Sequence, residues 1–403
     1  MANNNNTKNL NVPNLRFPEF KGEWKKSLLG QIADITKGSG ISKEQLSNQG
    51  TPCILYGELY TKYKSEIINE VYSKTTLNPS SLVKSQANDV IIPCSGETAI
   101  DISTARCVPY NNILLGGDLN IIQLKSQDGG FFAYQLNGVR KYDIARIAQG
   151  VSVVHLYGEN LKRIKVCYPT VEEQRKITSL LSLIDERIST QNKIIEKYES
   201  LIKGLNEKLL INKKEYTTYQ LSDICEIRSG YSGTQLTGTQ GLMVSRIETI
   251  SKHCINLDKV GYVKPFNSSA DFKLHIGDIL FSNINSVQYI GNTAFVDREY
   301  NLYHGMNLLR LIPHKTVEPF FIFLLLNTIT YKNYFQSICN KAISQASINQ
   351  TELGKTVIHI PDLSYQKQIC LVYNSLYNKK SIENLYLQVL KQQKSYLLRQ
   401  MFI

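Results

Sequence analysis

The side chains that could perform catalysis or hold a metal ion do not form a complete set in this 403-residue sequence. Its eight cysteines include no Cys-x-x-Cys pair and its six histidines are isolated, so the spacing of a zinc site is absent. Asp271-Phe272-Lys273 has the spacing of half a nuclease metal site, but no second carboxylate follows at a convincing distance. The Gly-x-x-x-x-Gly-Lys-Ser/Thr loop of nucleotide-driven motors is missing. We therefore expect a chain that binds rather than catalyses, with no metal or cofactor of its own.

The charge of the chain favours a polyanionic partner. Lysine and arginine number 46 against 34 aspartates and glutamates, which gives a formal net charge of +12. Residues 174–214 hold nine basic and five acidic side chains, and residues 366–403 hold six basic and one acidic. Nucleic acid and an acidic protein surface would both suit such segments. A solvated helix face that happens to be rich in lysine explains the same distribution, so charge alone does not choose the partner.

Length and composition predict several folded domains in the cytoplasm. At about 100–200 residues per domain, the chain has room for two to four units. The N-terminal residues MANNNNTK lack the apolar stretch of a signal peptide, and the scattered cysteines favour a reducing compartment. The most apolar run, Phe320–Leu326, is seven residues long, whereas a membrane span needs about 20. We expect no membrane contact.

The elements that position any binding residues are predicted to occur twice. Residues 29–38 match residues 221–230, and residues 131–134 match residues 320–323, at offsets of 192 and 189. Further matches follow in the same order at similar offsets. A repeated order of this kind predicts a duplicated architecture, in which each copy is a mixed head followed by a helical tail.

Each head is predicted to be α+β. Short β-rich runs lie between clusters of Gly, Asn, Ser and Pro, and the aromatic-led segments after Gly130 and Pro319 predict one helix per head. The predicted strands include Asp89–Ile92, Ile121–Leu124, Asp278–Phe281 and Asn307–Leu311.

The first tail, from Gln174 to Lys213, has the pattern of a coiled coil. Apolar residues alternate three and four positions apart, and only Gln191 interrupts them. The predicted seam is Ile177, Leu181, Ile184, Ile188, Ile195, Tyr198, Ile202, Leu205 and Leu209. A helix of this length spans about 60 Å, too long for an ordinary surface helix of one head.

The second tail has a less regular stripe, which Lys379 and Lys380 interrupt. The predicted stripe is Ile369, Tyr373, Leu376, Ile382, Leu385, Val389 and Tyr396. Two such tails in one chain would most simply pack on each other, in antiparallel orientation if the heads lie at opposite ends.

Two stretches resemble a known family. Residues 12–24 read VPNLRFPEFKGEW, and Pro169 is followed by Glu173, Gln174 and Ile177 at the start of the first tail. Together they look like the specificity subunit of type I restriction-modification enzymes, a resemblance that covers essentially the whole chain. One departure is Tyr365, which stands where the first copy has Glu173.

The resemblance implies two homologous target recognition domains that each read half of a bipartite double-stranded DNA site. It also implies two long helices that separate them and pair as an antiparallel coiled coil, with pseudo-twofold symmetry. On this basis the domains are an N-terminal arm with target recognition domain 1 (1–173), a central spacer helix (174–213), target recognition domain 2 (214–365) and a C-terminal spacer helix (366–403).

The resemblance further implies that the chain is not catalytic and recruits others. Two methyltransferase subunits would use S-adenosylmethionine to methylate adenine, and restriction subunits would use ATP and Mg to translocate and cut DNA. The sequence agrees in one respect, since a methyltransferase loop for a flipped adenine needs a Pro-Pro pair and none occurs. A stand-alone two-headed nuclease or DNA-modifying enzyme remains an alternative, as does a scaffold for acidic proteins.

Base recognition requires paired donors and acceptors on loops or strand ends that reach the major groove. Both heads offer such side chains, and the segments 146–155 and 341–349 are favoured because they occupy equivalent places in the two copies. The candidates are Lys37, Ser39, Tyr60, Lys62, Arg106, Arg146 and Gln149 in the first head, and Arg228, Tyr231, Arg246, Asn283, Asn285, Gln288, Lys341, Gln345 and Asn349 in the second.

Overall fold

The computed structural model describes residues 11–210, 216–342 and 345–403. The chain divides into two compact units. The first contains Met1–Lys193 and Asn384–Ile403, and the second contains Ile194–Glu383. Each unit therefore holds one head and a portion of two long helices, Val171–Leu205 and Leu363–Gln400. We call residues 25–168 head 1 and residues 216–360 head 2.

Head 1 is built on a four-stranded antiparallel sheet. Its strand order is Ala33–Lys37, Leu119–Leu124, Asp89–Pro93 and Arg106–Val108. A second sheet has the order Leu46–Ser47, Ser73–Thr75, Thr51–Ile54 and Leu114–Leu115, and two-stranded pairs join Lys25–Leu28 to Lys165–Tyr168 and Ser95–Gly96 to Val154–His155. The α-helices are Leu29–Ile32, Glu58–Thr61, Ala99–Ile102, Gly129–Asn137, Lys141–Ile147 and Gly158–Leu161, with 3-10 turns at Lys43–Gln45 and Pro79–Ser81.

Head 2 repeats the central sheet. Its strand order is Cys225–Ser229, Leu308–Pro313, Ile279–Ser282 and Thr293–Phe295. The smaller pairings are Thr217–Gln220 with Val357–Ile360, Leu242–Val244 with Gly261–Val263, and a three-stranded sheet of Ile284–Asn285, Ala346–Ser347 and Asn340–Lys341. The α-helices are Leu221–Ile224, Ser269–Phe272, Pro319–Leu326, Ile329–Ile338 and Gln350–Gly354, with 3-10 segments at Ile247–His253, Leu257–Lys259 and Val287–Tyr289.

The register of the two central sheets confirms the predicted duplication. In head 1, Ile122 pairs with Ile35 on one side and with Val90 on the other. In head 2, Leu311 takes the same place between Ile227 and Ile279. The offsets are those of the sequence repeat, and all four predicted strands are present.

The prediction of one helix after Gly130 and after Pro319 was incomplete, because two consecutive helices follow in each head. In head 1 the first helix ends at Gly138, whose N–H donates to the carbonyl of Tyr134. In head 2 Thr328 caps the start of the second helix with its side chain. The first helix of each pair is buried on nearly all sides, and filling that core contributes about 1.5–3 kcal/mol for each large apolar side chain.

A buried glutamine joins each head to the start of a long helix. The Oε1 of Gln174 accepts a hydrogen bond from the N–H of Asp128 at 2.9 Å, and its Nε2 donates to the carbonyl of Pro169 at 2.9 Å. Gln366 makes the same two bonds in the second unit, at 2.9 and 2.8 Å. The doubled proline-to-glutamine spacing in the sequence therefore marks a fixed connection between head and helix.

The first long helix confirms the predicted seam. It begins at Val171 and passes into a π-helical turn at Asn206–Leu210. Ile177, Leu181 and Ile184 are buried, and so is the interrupting residue Gln191. The boundary predicted between residues 213 and 214 lies outside the described residues.

The predicted stripe of the second long helix was right only as far as Leu376. Four residues assigned to it are each more than half exposed: Ile382, Leu385, Val389 and Tyr396. The buried or half-buried seam instead continues with unbroken three-four spacing through Lys380, Glu383, Leu387, Leu390, Lys394, Leu397 and Met401. The prediction followed apolar side chains only, and it missed this register because several seam positions hold charged residues.

Ion pairs show the orientation of the two helices. Asp185 contacts Lys394 at 2.6 Å in the first unit, and Glu199 contacts Lys380 at 2.8 Å in the second. The paired positions rise along one helix as they fall along the other, so the helices are antiparallel.

Lys394 lies in a charged cluster inside the first unit. Its ammonium is 2.5 Å from the carboxylate of Glu66 and 2.6 Å from that of Asp185. The hydroxyl of Tyr134 donates to the other oxygen of Asp185 at 2.8 Å. The cluster thus connects head 1 with both long helices.

Candidate nucleic-acid interface

The two favoured segments, 146–155 and 341–349, both contain β-hairpins at equivalent places. In head 1, Gln149 and His155 exchange backbone hydrogen bonds of 2.9 and 2.7 Å. In head 2, Lys341 pairs with Ala346. We call residues 149–155 hairpin 1, and residues 340–342 together with residues 345–347 hairpin 2. Residues 343 and 344, which connect the two halves of hairpin 2 in the sequence, lie outside the described residues.

Each hairpin is held by the strand that follows the central strand of its head. Hairpin 1 pairs with Ser95–Gly96, and the strand Ala346–Ser347 pairs with Ile284–Asn285. The chain leaving each hairpin is fixed as well, since the N–H of Leu156 bonds to Cys94 at 2.7 Å and that of Ile348 bonds to Asn283 at 2.9 Å. In head 1 this rigid base presents the turn of the hairpin to solvent, where Val151 is exposed.

Close glycine contacts hold the neighbouring loops in both heads. A Cβ on Gly38 would lie 2.0 Å from the carbonyl oxygen of Gly116, and one on Gly230 would lie 1.8 Å from that of Gly305. No other residue type fits at these two crossings. They fix the ends of the first sheet strands, where Lys37 and Arg228 lie.

The structure brings Arg146 and Gln149 together beside hairpin 1. They line an open cavity of about 220 Å³ with Asn160 and Arg163. Arg146 is 78% exposed and pairs with Asp143 at 3.2 Å. Of the predicted set in head 1, these two residues, Lys37 and Lys62 are exposed.

Other predicted residues of head 1 have structural partners. The hydroxyl of Ser39 accepts from the N–H of Val83 at 2.8 Å, and the ammonium of Lys62 contacts Glu58 at 2.6 Å. Tyr60 is half-buried, and burial raises the pKa of its hydroxyl.

Arg106 lies inside head 1, which corrects its prediction as a loop residue. It is 7% exposed, and its guanidinium donates to the carbonyls of Leu59 at 3.1 Å and Tyr63 at 2.9 Å. A buried arginine whose donors are used in this way supports the surrounding chain rather than reaching a ligand.

Several predicted residues of head 2 are also engaged. Tyr231 stacks on Phe266 with ring centroids 3.8 Å apart, and Arg228 pairs with Glu226 at 2.6 Å. The side chain of Asn349 caps the helix Gln350–Gly354. The amides of Asn283 and Asn285 donate to Ile348 at 3.3 Å and to Ser282 at 3.1 Å, and Arg246 lies 3.8 Å from Glu248.

Six members of the predicted set in head 2 are exposed: besides Arg228, Arg246 and Asn349, whose partners are given above, they are the three residues Gln288, Lys341 and Gln345. Two of the three belong to hairpin 2. Sequence reasoning missed the exposed side chains of hairpin 1 itself, because Val151 and Val153 are apolar and a search for hydrogen-bonding groups passes over them. The sequence signal for this hairpin is the alternation of the apolar Val154 and Leu156 with His155 and Tyr157, which indicates a strand with one buried face.

The described residues contain no group of three or more His, Cys, Asp or Glu side chains arranged to hold a metal ion. Within the same residues, no helix is long and apolar enough to cross a membrane. His304 is buried, and burial lowers the pKa of its imidazole to about 4. Its Nε2 lies 2.9 Å from the carbonyl of Leu308, which gives it a structural role in head 2.

Two relatives of this chain are specificity subunits by name. A putative type I restriction enzyme MjaX specificity subunit from Methanocaldococcus jannaschii is 38% identical over 194 residues, which span 47% of this chain and 46% of that relative. The type I restriction enzyme MjaVIII specificity subunit of the same organism is 24% identical over 401 residues, or 92% of this chain and 88% of the relative.

Solved structures show the same fold. A type I restriction-modification system S subunit from M. genitalium covers 97% of this chain and 99% of its own, with a TM-score of 0.63 at 17% identity. A chain from a study of complex assembly in the type I restriction-modification system covers 93% and 96%, with a TM-score of 0.57 at 16% identity.

One family model, described as the type I restriction modification DNA specificity domain, matches residues 21–200 and again residues 213–392. The two matches account for both heads and for most of both long helices. The chain therefore belongs to the family of type I restriction-modification DNA specificity domains.

Proposed function

We propose that the chain is the DNA-recognition subunit of a type I restriction-modification complex, and that its two heads each read one half of a split double-stranded site. The observation that carries this proposal is the duplication. One topology occurs twice, each copy matches the DNA specificity model, and the exposed hairpin residues differ between the copies. Two readers with different surfaces suit two different half-sites.

The proposal assigns catalysis to other subunits. S-adenosylmethionine would be bound by the methyltransferase subunits, and ATP and Mg by the restriction subunits, all in the cytoplasm. The names of the relatives as specificity subunits favour this assignment over the alternative of a stand-alone nuclease or modifying enzyme. Incubating the purified chain with DNA and these cofactors should give neither methylation nor cleavage, whereas either activity would favour the alternative.

The second long helix offers a surface for the methyltransferase subunits. In the first unit, Leu385, Tyr386, Val389 and Tyr396 are 46–61% exposed on the side away from the seam. We call these four residues the outer stripe. Spacings of four and seven place Leu385, Val389 and Tyr396 on one face of the helix, as in a helix that packs against a partner helix. We propose that two methyltransferase subunits dock on the long helices and the adjoining head surfaces.

Footprinting of the assembled complex tests the proposed reading of a split site. The complex with its methyltransferase subunits should protect two short patches on genomic fragments, separated by a gap of fixed length. A single continuous patch would contradict the two-reader arrangement. An absence of any sequence-dependent protection would favour a scaffold for acidic proteins.

A further inference from the structure

We propose that hairpins 1 and 2 are the elements that enter the major groove, and that their outward side chains distinguish the bases of the two half-sites. The outward positions are Val151, Val153 and His155 in head 1, and Gln345 and Ser347 in head 2. The inference rests on the proposed function, because it names the reading elements of the same subunit.

The shape of the hairpins suits a groove. The major groove of B-DNA admits a two-stranded β-ribbon. Hairpin 1 is such a ribbon, and its tip is open to solvent, since Val151 is 97% exposed. Gly150 makes the turn with a φ of +117°, and a Cβ there would lie 2.1 Å from the carbonyl oxygen of Val153. The tip is therefore a fixed turn that presents methyl groups to solvent.

The strands that leave the two hairpins show the same alternation. Val154 and Leu156 point inward in head 1 and are 7% and 1% exposed. Ala346 and Ile348 take the same places in head 2, 192 residues later, and are 1% and 2% exposed. The inward positions are thus apolar in both copies, as the shared fold requires.

The outward positions have different chemistry in the two copies. Val153 and His155 of head 1 correspond to Gln345 and Ser347 of head 2 at the same offset. Valine methyl groups suit the methyl group of thymine, and a glutamine amide can pair with the N6 and N7 groups of adenine. One scaffold therefore presents two different recognition surfaces, as two unlike half-sites require.

A cation occupies the equivalent sequence position in each head, after the short helix that follows the hairpin, and in head 2 it pairs with Glu352 at 3.0 Å. Arg163 follows the helix Gly158–Leu161 in head 1, and Lys355 follows the helix Gln350–Gly354 in head 2. Both side chains are exposed, and their positions are again 192 residues apart. Arg163 also lines the cavity beside Gln149. Both heads thus have a positive charge at this position, which would suit a phosphate contact, whereas the outward residues of the two hairpins differ. Contacts to phosphates position a protein on DNA and contacts to base edges give specificity.

The test exchanges side chains on one hairpin at a time and identifies the methylated sequence. The chain is produced with its methyltransferase subunits in a host that lacks adenine methylation, and the methylated motif is obtained by long-read sequencing. Val151→Ser with Val153→Ser should change or relax base preference in one half-site and leave the other intact. Lys341→Ala with Gln345→Ala should do the same to the opposite half-site, with discrimination falling about 5- to 140-fold at the affected base pair.

Ile276→Ser provides a matched control. Ile276 is 57% exposed and lies at the end of the central strand Ile279–Ser282 that is remote from Ile284–Asn285 and hairpin 2. Removing this exposed apolar side chain should leave both half-sites unchanged. A change in motif from this variant as large as that from the hairpin variants would overturn the assignment.

The outcomes separate this inference from the proposed function. A wild-type complex that methylates no bipartite motif would refute the proposed function itself. A bipartite wild-type motif that both hairpin variants leave unchanged would refute only the hairpins as readers. If a variant abolishes methylation, the sequences that its complex selects from random DNA duplexes show whether the affected half-site is still recognised. A complex that assembles and binds DNA without selecting that half-site supports the inference, and a complex that no longer assembles assigns the hairpin to subunit docking.

Discussion

Lys394 is the residue through which the end of the second long helix contacts head 1. Burial, and then the nearby Glu66 carboxylate, raise the pKa of Asp185 to about 6. Burial alone would raise the pKa of Glu66, but Lys394 and then Arg106 bring that pKa below its usual value. Two carboxylates thus share one ammonium in the interior, and Lys394 is the cation that contacts both of them.

Replacing Lys394 by methionine should destabilise the protein by about 3–5 kcal/mol at pH 7.5, because two buried carboxylates lose their cation. The folded-state pKa of Glu66 would then rise above its unfolded value near about 4, and that of Asp185, which is already raised, would rise further. A group with a raised folded-state pKa loses its contribution to stability as the pH rises through that value. The loss should therefore be smaller at pH 5 than at pH 7.5.

Urea unfolding of the whole chain at the two pH values measures this difference. Lys391→Met on the exposed side of the same helix is the control and should change the free energy of unfolding little at either pH. Equal losses for Lys394→Met at both pH values would mean that the carboxylates do not govern the cost.

At the scale of the long helices, we predict that the outer stripe is needed to bind the methyltransferase subunits. Changing Leu385, Val389 and Tyr396 to serine should prevent copurification of the chain with its methyltransferase subunits, since these exposed side chains contribute little to the fold. The melting temperature of the isolated chain should stay nearly the same. Leu183→Ser, at a 57% exposed position of the first long helix, tests whether any exposed leucine has this effect. Unchanged copurification of the triple variant would place the docking surface elsewhere.

The second long helix shows which seam residues apolar periodicity in the sequence can and cannot predict. The seam of the first long helix is apolar at nearly every position, so its periodicity could be read directly. The second has Lys380, Glu383 and Lys394 at seam positions, where partners on other elements offset the cost of burying charge for Lys380 and Lys394. The sequence alone does not show those partners, and the exposed apolar residues were mistaken for the seam.

The positions of the two hairpins were predictable from the sequence, but the exposure of the candidate side chains was not. The repeat located both hairpins, because their place in the duplicated unit depends only on the order of elements. Which side chains are exposed depends on contacts between distant segments. Arg106 is held by Leu59 and Tyr63 more than 40 residues away, and Tyr231 is held by Phe266. Such contacts remove residues from a candidate list that chemistry alone would retain.

For the whole molecule, the heads are expected to act as separable readers. Replacing residues 30–160 with the equivalent head of a relative should change one half-site and preserve the other, as methylome sequencing would show. The replacement must keep an acceptor like the Oε1 of Gln127 for the amide of Gln174 and a donor like the N–H of Asp128, because these bonds join head to helix. Altered bases in both halves would contradict independent heads.

The two ion pairs between the long helices imply that both helices together set the distance between the half-sites, because the segments between the pairs have equal length. Asp185 and Glu199 are fourteen residues apart on one helix, and their partners Lys394 and Lys380 are fourteen apart on the other. Lengthening one helix alone would displace at least one of the two ion pairs. Four residues inserted after Gln191 and four inserted before Gln388 should keep both pairs. Because each helical residue adds about 1.5 Å, this change should lengthen the gap between half-sites by about one or two base pairs. A variant with the insertion in one helix only should assemble poorly or retain the original gap between half-sites. If that variant lengthened the gap as much as the double insertion does, one helix alone would set the distance, and the second would only stabilise it.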